Sequence, residues 1–98
     1  YDDFNYKVCE LERDMSLDEI KAKLDTWEEH AGTFTPLGDR GARFSPDDWA
    51  FPTVYFASDG RTIEVVTKDC DLYDVDNYLC KLAQLLGCKI VTEHLEYF

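Results

Sequence analysis

Cysteine, histidine and clustered carboxylates are the groups in this chain that could do chemistry. Their spacing decides which chemistry is open to them. Four cysteines (Cys9, Cys70, Cys80, Cys88) and two histidines (His30, His94) are present. A structural zinc site draws its ligands from closely spaced cysteine or histidine pairs, and this chain has none. Asp69, Asp71, Asp74 and Asp76 suggest a calcium loop. Counted from Asp69, however, the position that must turn as glycine is Asp74, and the bidentate glutamate position is Cys80. No metal and no cofactor is therefore expected.

Nucleophilic chemistry fares no better. Cys70 is the best-placed thiol, in a loop before a helix, but Asp69 and Asp71 flank it and disfavour the thiolate such chemistry needs. Asp47 with the Glu64-Val65-Val66 run resembles part of a metal-dependent nuclease site, yet Val66 stands where a lysine belongs. The stretch Leu37-Gly38-Asp39-Arg40-Gly41-Ala42-Arg43 is glycine-rich and carries two arginines, but it lacks the Gly-Lys-Ser/Thr ending of a phosphate-binding loop. His30 and His94 are pH-sensitive groups, and a place in the last turn of a helix would account for His30. No enzyme is expected.

The elements that must position these groups follow from periodicity. Phe4, Tyr6 and Val8 alternate with polar residues, as in a half-buried strand. Ser16-Leu17-Asp18-Glu19 is a capping box, with Met15 and Ile20 at the staple positions. Leu17, Ile20, Leu24, Trp27 and Ala31 continue at helical spacing up to Gly32. Residues 33–52 hold all three prolines and show no sustained period; Ser45-Pro46-Asp47-Asp48 reads as a short helical turn, and Phe34 could belong to an extra edge strand. An Asp59-Gly60 hairpin turn would set Phe56 against Ile63, Val54 against Val65 and Tyr55 against Glu64. Val75, Leu79, Leu82 and Leu86 mark a second helix, capped by Asp71 or Asp74 and closed by Gly87, before a last strand from Lys89 to Thr92. This order predicts a single α+β domain over residues 1–98. Its expected form is ferredoxin-like (βαββαβ), a four-stranded antiparallel sheet ordered 4-1-3-2 with both helices on one face. Cys9 and Cys88 would then be neighbours across two strands.

Twenty-one acids against ten bases give a net charge of −11 over 98 residues. That field opposes direct contact with nucleic acid or an anionic membrane surface and favours a basic protein partner. No apolar run is long enough to span a bilayer. The chain begins at Tyr1 rather than methionine, so its N-terminus is expected to be processed or missing, and a leader could have preceded it. Sparse cysteines suit a reducing, cytoplasmic setting.

In the expected topology the acids gather at one pole, together with the long 33–52 loop and its aromatics. Glu28 and Glu29 would oppose the dipole of the first helix there. The surface of Glu28, Glu29, Trp49, Asp71, Asp74 and Asp76 is the expected partner-binding site, with Trp49 as anchor. The sequence thus reads as a small acidic binding module, of the inhibitor or immunity type, that masks a basic surface of a nucleic-acid-acting protein. The alternatives are a homo-oligomeric (homodimeric) regulatory or ligand-sensing domain and, last, a small cysteine- or histidine-dependent enzyme.

Overall fold

The computed structural model of the protein describes residues 4–47, 51–68, 72–92 and 95–97. The elements in chain order are β1 (Phe4–Leu11), α1 (Leu17–Leu24), β2 (Gly32–Pro36), β3 (Ala42–Pro46), β4 (Thr53–Phe56), β5 (Thr62–Lys68), α2 (Leu72–Leu86), β6 (Ile90–Thr92) and β7 (Leu95–Tyr97). All seven strands join one antiparallel sheet in the order β2-β3-β4-β5-β1-β6-β7. The architecture is α+β, but the four-stranded ferredoxin-like expectation is wrong. Two strands drawn from residues 32–46 extend the sheet beyond β4, and β7 extends it beyond β6.

The missed strands have a physical signature. Ala42 and Phe44 are buried while Arg43 between them and Ser45 after them are not, which is strand alternation over a very short span. Pro36 and Pro46 occupy strand ends, where a missing N–H costs little, so proline marks the limits of β2 and β3 rather than excluding them. Ser45 and Pro46 are therefore strand and not the start of the helical turn expected at Ser45-Pro46-Asp47-Asp48, of which Asp48 lies outside the described residues.

The hairpin register is as expected: Phe56 faces Ile63, Val54 faces Val65 and Tyr55 faces Glu64. Its turn is longer than two residues. Gly60 N–H donates to Ala57 O at 3.2 Å, and the Asp59 carboxylate accepts from the N–H groups of Arg61 and Thr62 at 2.8 Å. Asp59 therefore acts as an internal cap for the turn, and these bonds, with the Thr62 hydroxyl foremost, hold its carboxyl below the ordinary range.

Helix α1 begins as expected, with Ser16 Oγ accepting from Glu19 N–H at 3.1 Å and Met15 and Ile20 buried. It ends at Leu24, well short of Ala31. Thr26 turns its hydroxyl back onto Lys23 O at 2.6 Å, and the N–H groups of Thr26 and Trp27 close tightened turns onto Lys23 O and Leu24 O. Trp27 is still buried, but it reaches the core from the turn, while Ala31 is exposed. Helix α2 buries Val75, Tyr78, Leu79, Leu82, Ala83 and Leu86. It closes on Gly87 at φ 68°, where Cys88 N–H reaches Ala83 O and Gly87 N–H reaches Gln84 O, a Schellman pair. Both helices pack on the sheet face that carries Cys9, Leu11, Phe44, Val54, Phe56, Ile63, Val65 and Ile90.

Cys9 and Cys88 are not cross-strand neighbours. The β1–β6 register sets Leu11 against Ile90 and Glu10 against Val91, and Thr92 bonds Val8 O from beside Cys9. Cys88 precedes β6 altogether. Among the described residues no helix is long and apolar enough to cross a membrane.

Gly60 sits at φ 75°, and a Cβ there would come 2.8 Å from Met15 O, the residue whose N–H bonds Gly60 O. Gly60→Val should therefore cost about 2–3 kcal/mol through the left-handed backbone and the displaced linker between β1 and α1. Chemical denaturation of the purified variant measures this, and an unchanged midpoint would contradict the assignment.

Candidate functional site

The starts of β1, β2 and β4 and the ends of β3 and β5 lie at one end of the sheet, because Phe4 pairs with Lys68, Gly32 with Pro46 and Thr53 with Val66. The turn after α1 joins them there: Asp47 N–H donates to Ala31 O at 3.0 Å, which draws Asp47 alongside the segment carrying Glu28 and Glu29. All three acids are exposed. Glu28 and Glu29 follow the end of α1, so they do not oppose its dipole, and that argument for their function falls.

Glu29 has a structural role. Lys81 of α2 donates to Glu29 Oε2 at 2.8 Å, tying the turn after α1 to the second helix. This hydrogen bond is the main reason the Glu29 carboxyl is held below its ordinary range. Asp76 is half-buried and pairs with Lys7 of β1 at 3.1 Å. Asp74 lies in the first turn of α2. Trp49 and Asp71 lie outside the described residues, as do Cys70 and His94. Asp39 and Arg40, expected at this end, are instead in the 3-10 turn Gly38–Arg40 at the far ends of β2 and β3.

Beneath the acids is an aromatic cluster that helical spacing concealed. His30 is only 8 % exposed and meets Phe51 edge-on at 4.4 Å, Trp27 at 5.0 Å and Tyr78 at 5.3 Å. Its position is a buried ring contact and not a helix C-terminus. Phe51 stacks on Tyr78 at 5.9 Å, and Trp27 stacks on Phe44 at 6.2 Å. The Tyr78 hydroxyl is buried without a hydrogen-bond partner among the described residues, and burial raises its pKa above the ordinary phenol value. The 33–52 segment is thus largely sheet and core, and Phe51 in it is a floor for the acidic end.

Among the described residues Cys9, Cys80 and Cys88 form no disulfide. Burial is the chief cause raising the Cys9 pKa, against a hydrogen bond with Thr92 and the charge of Lys7 that lower it. Among the described residues no group of three or more histidine, cysteine or acidic side chains could hold a metal ion.

No family model, curated protein or solved structure matches the chain. The chemistry of the side chains is accordingly what a functional reading rests on.

The Glu29–Lys81 bond has a pH consequence. A carboxyl held below its ordinary value of 4.5 stabilises the fold above that pH, and the contribution fades as pH falls through the folded-state value. Lys81→Met should move the Glu29 titration midpoint up toward 4.5, as read by carboxyl-carbon NMR. An unmoved midpoint would show that Lys81 does not hold Glu29 in solution. The thiols give a second outcome: iodoacetamide with mass spectrometry should modify half-buried Cys80 ahead of buried Cys9 and Cys88, and those two only as the protein unfolds. Early labelling of Cys9 would contradict its burial.

Proposed function

We propose that this protein is a non-enzymatic binding module that presents carboxylates to a basic protein partner, in the manner of an inhibitor or immunity protein whose acids stand in for phosphates. The observation that carries the reading is the juxtaposition of exposed Glu28, Glu29 and Asp47 by the Asp47–Ala31 backbone bond, on a chain of net charge −11. Such a surface draws a cationic partner by long-range attraction and excludes polyanions. The aromatic cluster below supports the reading by giving the acids a packed base, with Phe51 half-buried at its edge. Trp49, Asp71 and Asp74 belong to the proposed surface by sequence position. Cys9, Cys80 and Cys88, which form no disulfide among the described residues, are in keeping with a cytoplasmic setting.

Reversing Glu28 and Glu29 together is a poor probe, because Glu29→Lys would set an ammonium against Lys81 and remove the tie to α2. Glu28→Lys with Asp47→Lys spares that tie. The double variant should melt as the wild type does and lose about tenfold in affinity for the principal basic partner purified from the native host, a cost of ~1.4 kcal/mol for two reversed rim charges. The wild-type affinity should also fall as salt rises. Equal, salt-independent binding by the folded variant sinks the proposal.

A further inference from the structure

The sheet face away from the helices carries a groove of ≈ 510 Å³, within the size range of small-molecule sites, roughly 300–1,000 Å³. Its walls include Leu37, Arg40, Tyr55, Glu64 and Val66. We propose that this groove binds a free amino acid with an apolar side chain, holding the carboxylate with Arg40, the ammonium with Glu64 and the side chain on Leu37, Tyr55 and Val66.

The arrangement follows from topology. Tyr55 and Glu64 face each other across the β4–β5 pair, and Val66 lies one pleat further along β5 on the same face. The β2–β3 connection folds up beside them as the turn Gly38–Arg40, closed by Leu37 N–H to Gly41 O at 2.8 Å, and delivers Leu37 and Arg40 to the rim. One wall therefore carries a guanidinium and the other a carboxylate, over an apolar floor.

Two observations point to a ligand. Lys7, Arg13, Lys21, Arg61 and Lys81 each meet a carboxylate of this chain, whereas among the described residues Lys23, Arg40 and Arg43 form no such ion pair, and of these three it is Arg40 that lines the groove. Arg43 stands beside Tyr55 in the same cross-strand row, and its Nε is buried without a hydrogen-bond partner among the described residues. Buried polar groups are nearly always satisfied, so the unmet Arg43 Nε marks a place behind the groove wall, next to Tyr55, that favours an acceptor, although Arg43 itself does not line the groove. Guanidinium groups pair with carboxylates in a planar, two-bond fit. The net charge of −11 repels a simple anion and attracts a simple cation from a distance. A zwitterion carries no net charge into that field, and each of its ends meets the opposite charge in the groove.

The test is NMR titration of the full chain with phenylalanine, leucine and methionine as probes. The controls are 3-phenylpropionate, which lacks the ammonium, phenethylamine, which lacks the carboxylate, and alanine, which lacks the apolar body. At least one of the three probes should give saturable shifts at Leu37, Tyr55 and Val66. Every control should bind at least about tenfold more weakly than the best probe. Arg40→Gln, at an exposed turn position, and Glu64→Gln should each weaken that probe by a similar factor. Capture of the basic partner by Arg40→Gln should be unchanged, which separates this site from the acidic end. The proposal is overturned if none of the three probes saturates the groove, if 3-phenylpropionate or phenethylamine binds as tightly as the best probe, or if folded Arg40→Gln binds that probe like the wild type.

Discussion

Strand β1 is bonded along both edges, to β5 from Phe4–Lys68 to Glu10–Thr62 on one side and to β6 at Glu10–Val91 and Leu11–Ile90 on the other. It is the most sequence-distant pairing in the fold and the one that turns three local pieces into one sheet. The meander β2-β3-β4-β5 is built from neighbours in sequence and could not bury its inner face alone. Joining β5 to β1 places the meander under α1, and joining β1 to β6 brings the end of α2 over the same face. The segment after β1 is fixed by the same joint: Leu11 N–H takes Arg61 O, Arg61 Nε returns to Leu11 O, and Met15 N–H takes Gly60 O. The start of α1 is therefore held by the hairpin turn, and Asp59 and Gly60 shape that turn so that it can do so.

With the core set by that joint, the charged side chains contribute little to stability. The Arg13–Glu19, Lys21–Asp25 and Arg61–Asp14 pairs are exposed, and such pairs add roughly 0–1 kcal/mol each at most. Lys7–Asp76 and Lys81–Glu29 matter more for where they reach, since each ties α2 to another element. A fold resting on buried leucine, isoleucine and aromatic surface tolerates the self-repulsion of a −11 chain, so its uncommitted acids are available to a partner.

Much of this was legible in the sequence, and where it was not, a local competition decided. The hairpin register was readable because Val54 and Phe56 alternate against Ile63 and Val65, leaving one pairing that buries all four. The end of α1 was misread because Trp27 and Ala31 keep helical spacing, while the deciding feature, the Thr26 hydroxyl bonding Lys23 O, leaves no periodic trace. Strand β2 was legible only as an alternative, the extra edge strand at Phe34, and β3 was hidden by brevity and by the proline at its end. That error displaced Asp39 and Arg40 to the wrong end of the molecule and moved Phe44 from an expected binding loop into the core. Glu28 and Glu29 were rightly singled out as exposed, but their supposed conflict with a helix dipole vanished with the last turns of that helix. The groove was foreshadowed only in parts: the arginine-bearing stretch Leu37–Arg43 and the Tyr55–Glu64 pairing were each visible, but nothing local says that they meet.

The corrected topology also changes what the charge means. With Asp39 and Arg40 removed from it, the acidic end loses a cation and an acid together, so its net charge is unchanged by the correction. The opposite end gains Arg40, which lines one groove with Glu64 over an apolar floor. One molecule therefore shows two electrostatic characters on one scaffold, a broad negative field at the end where β3 finishes and a short-range charge pair where β3 begins. The broad field is felt over a Debye length, about 8 Å at physiological salt, and in the proposed function it would favour large cationic surfaces. The short-range pair acts only on what enters the groove, and it rewards a ligand whose own charges are separated. Strand β3 spans both, with Arg43 in the groove-side row and Asp47 immediately beyond its other end, so five residues of edge-proximal strand set both surfaces at a fixed distance. Shape alone would leave each site ambiguous; the sign and range of the charge decide what each one accepts.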